Sequence, residues 1–437
     1  MDKNPSSGAG TLIDRRTEFR KINRMEPSWL YRLRKEGWEF YLDTPLPDRS
    51  TNVWRYTEPN IFIVDKPENY FDILPLLPAG LIHEIQALEP SQAALGFNDE
   101  NRTVNTQLDR ELENSGVIFK DLYSAARDNQ DIVEKYLGQL VRSDTGKFEA
   151  LNLALWNIGM FLYIPKNLTI EKPIQLQRHP TDEITFQRLL VIIGENTQAT
   201  IIDDYSPGPR PTGNLTNNIV ELFAGDSANV RYVNIQRLDS NAKTYLTSRA
   251  QIEQNTTINS VFGSVGSGLI KANIGTVLNG RGGNSRMNGI VFGNGKQHFD
   301  YHTTQHHKAS ESYSNLNFKV ALKDKARSVY TGLIRIEKET ANCQAYQENR
   351  NLLLNLGTKA DSIPELEILT DQVICTHGAT MGPIDPEMEF YLKSRGISED
   401  EAAKIIVAGF VEPLIHEMPS DIGYMMRNLM QEKLIGG

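Results

Sequence analysis

Hydrophobic and polar residues follow one pattern at the two ends of this chain and another in the middle. Near the N-terminus, apolar residues recur at helical spacing over residues 12–42, and Pro27 interrupts them, so the pattern predicts two short helices. The same spacing predicts helices over residues 114–128 and 131–141. The first 145 residues are therefore predicted to be mainly helical.

The middle of the chain, from residue 147 to about residue 372, consists of short β-prone runs separated by turns rich in Gly, Asn, Asp and Lys. In one run, Phe318, Val320 and Leu322 occupy alternate positions, which is the period of a strand with one buried face. No convincing helical pattern interrupts these runs, and they have no strict repeat period. Many short strands without intervening helices fit either a β-sandwich or a β-solenoid, and the pattern alone does not choose between them.

The pattern becomes helical again near the C-terminus. Asp385 is a candidate N-cap, and Pro386 follows it at the first helical position. Ser398 and Glu401 form a capping-box signature for a second helix, and a last helix with a Met-rich apolar face is predicted from near Asp421. The chain thus divides into a mainly helical N-terminal domain, a β-rich core and a C-terminal helical domain, over residues 1–145, 146–384 and 385–437.

Composition narrows the class of protein. A length of 437 residues with 39% hydrophobic content is ordinary for a folded globular protein of two or three domains. The formal net charge of -9 argues against a dedicated nucleic-acid-binding protein. Two cysteines, Cys343 and Cys375, are too few for a disulfide framework and suit a reducing compartment. Without a signal-peptide pattern or an apolar run of membrane-spanning length, we expect a cytoplasmic protein with no membrane partner.

The main candidate for chemistry is the run Cys-Thr-His-Gly-Ala-Thr at residues 375–380. In an extended strand, side chains two residues apart point to the same face, so Cys375 and His377 would project together. Imidazole and thiolate are both ligands for iron and zinc. From the residues alone, a lone His at a strand end is more often a hydrogen-bonded structural residue than a ligand, and a buried, inert thiol is as good an interpretation of Cys375 as a ligand.

The densest imidazole cluster of the chain begins at residue 298. His298, Asp300 and His302 are spaced so that they share one face of a strand, where two imidazoles and a carboxylate are able to hold a metal. We prefer to interpret them as a polar strand face at a contact between subunits. The nearby glycine-rich segments are not a phosphate-binding loop, because Gln297 follows Lys296 and no helix comes next.

Several motifs together resemble the SufB/SufD family of iron-sulfur cluster assembly scaffolds. Besides residues 375–380, the motifs in family order are residues 54–57, 147–152, 159–166 and 298–303. The likeness extends from about residue 26 to the C-terminus. It is closest to the SufD branch, since Gly378 stands where SufB-like chains carry Glu, and residues 359–364 lack the Cys that SufB-like chains have there.

The resemblance implies a right-handed parallel β-helix between two helical domains, with the helices as candidate caps for its ends. It implies a non-enzymatic scaffold subunit that pairs with a SufB-like subunit and binds a SufC-like ABC-type ATPase, which would supply the ATP hydrolysis. His377, and less certainly Cys375, would ligate an iron-sulfur cluster or iron held transiently and shared with the partner. The residues implied to bind the ATPase partner are Phe390, Tyr391, Ile405, Ile406 and Phe410.

Two functions of other classes stay open at this point. The lateral faces of the β-helix, through which we expect it to pair with a SufB-like β-helix, would in a homodimeric structural protein pair with a second copy of the chain. A β-helix enzyme acting on polysaccharide would need acidic or basic residues along an exposed groove, and the sequence does not assemble such a set. The sequence does not reveal whether a flavin binds.

Overall fold

The computed structural model describes residues 19, 26–71, 88–89, 91–99, 102–208 and 215–435. The first of the two helices predicted over residues 12–42 lies almost entirely outside the described residues. The core is a parallel β-solenoid of about eight turns, flanked by helices on both sides in sequence. This confirms the β-helix that the family resemblance implied and excludes the sandwich that the pattern had left open.

The strands in chain order are β1 (Ala94–Asn98), β2 (Val104–Leu108), β3 (Ile118–Asp121), β4 (Ile158–Ile164), β5 (Ile174–Arg178), β6 (Ile184–Ile193), β7 (Gln198–Tyr205), β8 (Leu215–Ala224), β9 (Asn229–Gln236), β10 (Lys243–Ile252), β11 (Thr257–Ser264), β12 (Leu269–Leu278), β13 (Asn284–Gly293), β14 (His298–His307), β15 (Tyr313–Leu322), β16 (Arg327–Ile336), β17 (Cys343–Leu353), β18 (Lys359–Ile368) and β19 (Val373–Pro383). The α-helices are α1 (Ser28–Asp43), α2 (Arg110–Asn114), α3 (Leu122–Asp128), α4 (Gln130–Tyr136), α5 (Lys147–Leu155), α6 (Pro386–Lys393), α7 (Glu399–Ile415) and α8 (Ser420–Ile435).

From β4 onward, each turn of the solenoid contributes one strand to each of two sheets. Sheet A has the order β19-β17-β15-β13-β11-β9-β7-β5-β1-β2, and sheet B has the order β18-β16-β14-β12-β10-β8-β6-β4-β3. The first strands extend both sheets by antiparallel pairs, β1 with β2 and β3 with β4. Part of the segment predicted as a helix over residues 114–128 is thus strand β3, because Phe119 packs into the solenoid interior.

The interior of the solenoid is filled by alternate residues of each strand. As the alternation predicted, Phe318, Val320 and Leu322 of β15 are buried in this interior, and Leu316 extends the same row. The intervening Lys319 points outward, and its ammonium donates to the carbonyl oxygen of Phe410 at 2.7 Å. One face of the strand therefore builds the core, while the other anchors a C-terminal helix.

The N-terminal helices pack on the outer face of sheet B. A buried glutamate of that sheet, which forms an ion pair with an arginine of the same sheet, binds the segment that follows α4. Arg188 of β6 donates to Glu221 of β8 at 2.7 Å, and both side chains are fully buried. The same carboxylate accepts the backbone N–H groups of Gly138, Leu140 and Val141 at 2.9 to 3.1 Å. One glutamate therefore joins the segment after α4 to the solenoid, which makes its removal costly.

The C-terminal helices begin where the sequence predicted. Glu387 N–H donates to the Asp385 carboxylate at 2.9 Å at the start of α6, and Glu401 N–H donates to the Ser398 hydroxyl at 3.3 Å at the start of α7. Local side-chain chemistry decides these positions, which is why they are readable in the sequence.

Helices α7 and α8 pack along the outer face of sheet A. Their buried residues include Val411, Met426 and Met430, which form one hydrophobic cluster with residues of β7, β9, β11, β13 and β15. The Met-rich face is therefore core, and the expectation that these helices cap the end of the solenoid is wrong, since most of β19 stays exposed. None of the described helices combines the length and apolarity needed to cross a membrane.

Candidate functional site

The C-terminal end of the solenoid is open. Among the described strands, β18 pairs only with β16 and β19 pairs only with β17, so each leaves one edge unpaired. The apolar side chains exposed there by 40 to 55% are Leu366, Leu369, Ile374 and Met381. Unpaired N–H and C=O groups beside exposed apolar side chains favour the addition of another strand. We call β18 and β19, with these four side chains, the open end.

Cys375 and His377 both lie on β19, on the row that faces the solenoid interior. In the register of the sheet, Cys375 lies opposite Ala345 of β17, and His377 lies opposite Gln347. Ala345 and Gln347 are both buried inside the solenoid. Cys375 is half-buried against the interior cluster, whereas His377 is exposed because no further turn among the described residues covers it. The structure thus places the two residues on one face of β19, at the open end of the solenoid interior.

The two candidate ligands differ in their environment. Burial, with a smaller effect of Cys343, raises the pKa of the Cys375 thiol. Since the thiolate is the form that binds metals, Cys375 is a poorer ligand than an ordinary cysteine at neutral pH. His377 is open to solvent and to any neighbouring molecule. Among the described residues, no group of three or more His, Cys, Asp and Glu side chains is arranged to hold a metal ion.

Gly378 stands directly after His377 in an uncrowded position. A Cβ atom built on Gly378 would meet no atom within 4 Å among the described residues. The missing side chain is therefore not required by packing. Residues 359–364, which lack a cysteine, form the first part of β18 at the neighbouring edge. The open end presents one accessible imidazole and one half-buried thiol as its soft ligands.

His298, Asp300 and His302 lie on β14, but they are not on a free surface. The Asp300 carboxylate accepts hydrogen bonds from the Lys271 ammonium at 2.9 Å and from the Thr57 hydroxyl. His302 Nε2 lies 3.0 Å from the second carboxylate oxygen. Although burial opposes it, these contacts with His302 and Lys271 hold the pKa of Asp300 well below its usual range.

At the imidazole cluster, where we predicted a contact between subunits, the structure shows a contact within the chain for Asp300 and His302. Asp300 is fully buried and His302 is 7% exposed, because the segment around Thr57 covers their face of sheet B. The contact is therefore made within the chain. Lys271 also supplies the positive charge that a metal would otherwise bring to Asp300. The sequence did not show that a segment more than 200 residues away would cover this strand.

The five predicted partner-binding residues divide into two groups. Phe390, Tyr391 and Ile405 are exposed by 73%, 53% and 45% on α6 and α7. Phe390 and Tyr391 also border a shallow hollow on α6. Ile406 is half-buried, and Phe410 packs against the cluster that joins α7 and α8 to sheet A. Phe410 thus helps to hold α7 against sheet A, while the first three residues are exposed and able to contact another protein.

The sequence analysis did not identify the open end. The missed residues are the exposed apolar ones on and beside β18 and β19, together with Pro364 within β18. A proline inside a strand pattern is a sign of an edge strand, because it has no N–H to donate. That signal was present in the sequence, but it becomes meaningful only once β18 is known to be the last strand of sheet B.

Comparison with known protein families gives two matches. Residues 176–410 match the core domain of SufBD proteins of the SUF system for FeS cluster assembly, and residues 84–176 match the N-terminal region of SufBD proteins. A protein of Staphylococcus saprophyticus named as an iron-sulfur cluster assembly SufBD family protein is 29% identical over 428 residues, covering 95% of this chain and 92% of the relative. A Staphylococcus aureus protein of the same description has the same identity and coverage. The fold, the open end and these matches agree: the chain belongs to the SufBD family of iron-sulfur cluster assembly proteins of the SUF system.

Proposed function

We propose that this chain is a SufD-like scaffold subunit that pairs with a SufB-like subunit and binds a SufC-like ABC-type ATPase. It is not an enzyme itself, and the ATPase supplies the hydrolysis. The observation that carries the proposal is the open end, where an inward-facing, exposed imidazole lies next to unpaired strand edges. A site of this kind is incomplete until a second protein covers it.

Pairing through the open end follows from the physical chemistry of strand edges. β18 contains ten residues and β19 contains eleven, so the two edges offer long rows of unpaired backbone groups. Added strands would satisfy these groups, and the exposed Leu366, Leu369, Ile374 and Met381 would be buried. Specificity would come from the side chains on alternate positions of the added strands. The pairing surface is therefore the end of the stack, beside His377.

The proposed role of His377 is to contribute one imidazole to a shared site. Iron-sulfur clusters are usually held by thiolates, and the half-buried Cys375 has a raised thiol pKa. The SufB-like partner would therefore supply the thiolates. The cluster or iron is the cargo of the complex, held transiently at the junction. Assignment to the SufD branch also rests on missing ligand groups. Gly378 lacks the carboxylate, and β18 lacks the thiol, that SufB-like chains carry at these places.

The test is the His377→Ala variant in a complex reconstituted anaerobically with the SufB-like and SufC-like subunits. Because His377 is exposed, we expect unchanged folding and subunit association, with reduced iron and sulfide bound per complex. The matched control is His416→Ala, which removes another exposed imidazole, 71% exposed at the end of α7. Iron and sulfide contents equal to those of the unaltered complex would refute the ligand role of His377.

The open end also favours a second candidate, a homodimer. A second copy of the chain has the same unpaired edges and the same exposed apolar side chains. Light scattering with and without the SufB-like subunit separates the two proposals. We expect Ile374→Lys to weaken either association, because a charge on an edge strand opposes pairing. A homodimer that persists when the SufB-like subunit is in excess would favour the self-associating form.

A further inference from the structure

We propose that a second site, a basic cleft on sheet B, binds a small phosphorylated molecule that carries a planar apolar ring, of the nucleotide class. The cleft has a volume of about 640 Å³ and lies between residues 56–61 and the starts of β10, β12, β14 and β16. Small-molecule sites are typically ~300–1,000 Å³ in size. The cleft shares no residue with the open end or with the exposed residues of α6 and α7, so the inference goes beyond the proposed function.

The solenoid places the residues of the basic cleft in register. Lys243, Leu269, His298 and Arg327 are successive partners across four parallel strands. Adjacent strands are about 4.8 Å apart, so Lys243 and Arg327 are separated by roughly 14 Å along the stack. Lys296 and Lys325 come two residues before His298 and Arg327 and therefore occupy adjacent turns. The cleft is consequently long, with most of its cations at one end.

Three cationic side chains lie together at the end of the cleft near Arg327, and they form no ion pairs with the described residues. Lys296, Lys325 and Arg327 are exposed, and none of them makes an ion pair with any residue that the structure describes. The carboxylate among the described lining residues is that of Glu58, which accepts from Arg49 at 2.9 Å. Like charges on neighbouring strands repel each other and destabilise the fold. Such a group in a chain of formal charge -9 is explained by a bound anion.

The nearest acidic residue in sequence, Asp324, forms no ion pair with these three cations among the described residues. Asp324 precedes Lys325 in the same turn, and its side chain accepts the backbone N–H of Gly295 at 2.9 Å. Burial and the nearby Lys271 and Arg327 lower the pKa of His298, although Asp300 opposes them. The cationic end is thus formed by two ammonium groups and one guanidinium. This combination suits phosphate oxygens, which accept several charge-assisted hydrogen bonds at once.

Away from the three cations, the cleft has an apolar wall between polar lining residues. The apolar wall consists of Tyr56, Ile61, Ala242 and Leu269. A planar ring attached to a phosphate would bury its faces against these side chains while the phosphate meets the cations. A free inorganic anion would leave the apolar wall unused. The pairing of an apolar wall with a cationic end is what assigns the class of ligand.

The test uses the purified full-length chain and isothermal titration calorimetry at about 0.15 M salt, where only close contacts between charges survive screening. The probes are ADP, inorganic pyrophosphate and adenosine. We expect ADP to bind more tightly than pyrophosphate, which lacks the ring, and than adenosine, which lacks the phosphates. The double variant Lys296→Gln/Lys325→Gln is expected to raise the Kd for ADP about tenfold or more, since it removes two charged donors.

The matched control is the double variant Lys308→Gln/Lys338→Gln. These exposed lysines follow β14 and β16 at the opposite ends of the same two strands, so the net charge changes equally. We expect it to bind ADP as the unaltered chain does. Absence of ADP binding, equal weakening by both double variants, or pyrophosphate binding as tightly as ADP would overturn the proposal. The assay needs no partner and no iron, so its failure leaves the scaffold function untouched.

Discussion

Truncation of one exposed ring, Phe390→Ala, tests whether α6 binds the ATPase. Full burial of a phenylalanine side chain contributes about 1.5–3 kcal/mol. Phe390 is 73% exposed, so roughly three-quarters of that contribution, about 1–2 kcal/mol, remains available to a partner. Removal of the ring should therefore weaken docking about 5- to 30-fold. The stability of the isolated chain should change by less than about 0.5 kcal/mol, because the ring covers little of its own protein.

The assay is titration of the SufC-like ATPase with the purified chain, combined with chemical denaturation of each variant. Tyr424→Ala is the matched control, because it removes an aromatic ring that is 65% exposed on α8. We expect Tyr424→Ala to leave docking unchanged. If Phe390→Ala binds the ATPase with the original affinity, or if both variants weaken it equally, α6 is not the docking surface. Phe410 is unsuitable for this purpose, because its partly buried ring supports the joint between α7 and sheet A.

Three further predictions concern the solenoid itself. Glu221→Gln leaves the charge of Arg188 buried without its partner and should cost about 3–5 kcal/mol in chemical denaturation. Gly289→Ala should cost about 1–3 kcal/mol, because its Cβ would lie 2.1 Å from an aromatic ring, whereas Gly378→Ala should be neutral. Burial holds the pKa of His307 near 4, so the unfolded chain takes up a proton between pH 6.5 and 4 that the folded chain does not. The contribution of His307 to stability should fall by up to about 3 kcal/mol as the pH is lowered through that window, and His307→Gln should reduce the total fall.

Each of these three predictions has a contradicting outcome. Unfolding of the Glu221→Gln variant at the original denaturant concentration would mean that the buried ion pair does not fasten the N-terminal segment. Equal stabilities of the Gly289→Ala and Gly378→Ala variants would contradict the difference in crowding at the two positions. An unchanged slope of stability against pH in the His307→Gln variant would assign the acid sensitivity to other groups.

Family membership was accessible from the sequence, but the open end of the solenoid was not. The spacing of Cys375 and His377 predicted a shared face, since side chains in a strand alternate whatever lies around them. Whether that face would be covered depends on how many turns follow β19, which is a property of the whole stack. The difference between the exposed Phe390 and the partly buried Phe410 has the same origin. Both residues fall in apolar helical patterns, and only packing against sheet A distinguishes them.

The sequence by itself determined the features that neighbouring residues decide. These are the caps of α6 and α7 at Asp385 and Ser398, and the alternating core face of β15. Tertiary structure alone decided which strands are edges and which polar clusters are covered. Asp300 meets Thr57 and Lys271 across long sequence separations, and no local pattern encodes such contacts. Hydrogen bonds and side-chain periodicity act over a few residues, whereas burial depends on every element that packs against a surface.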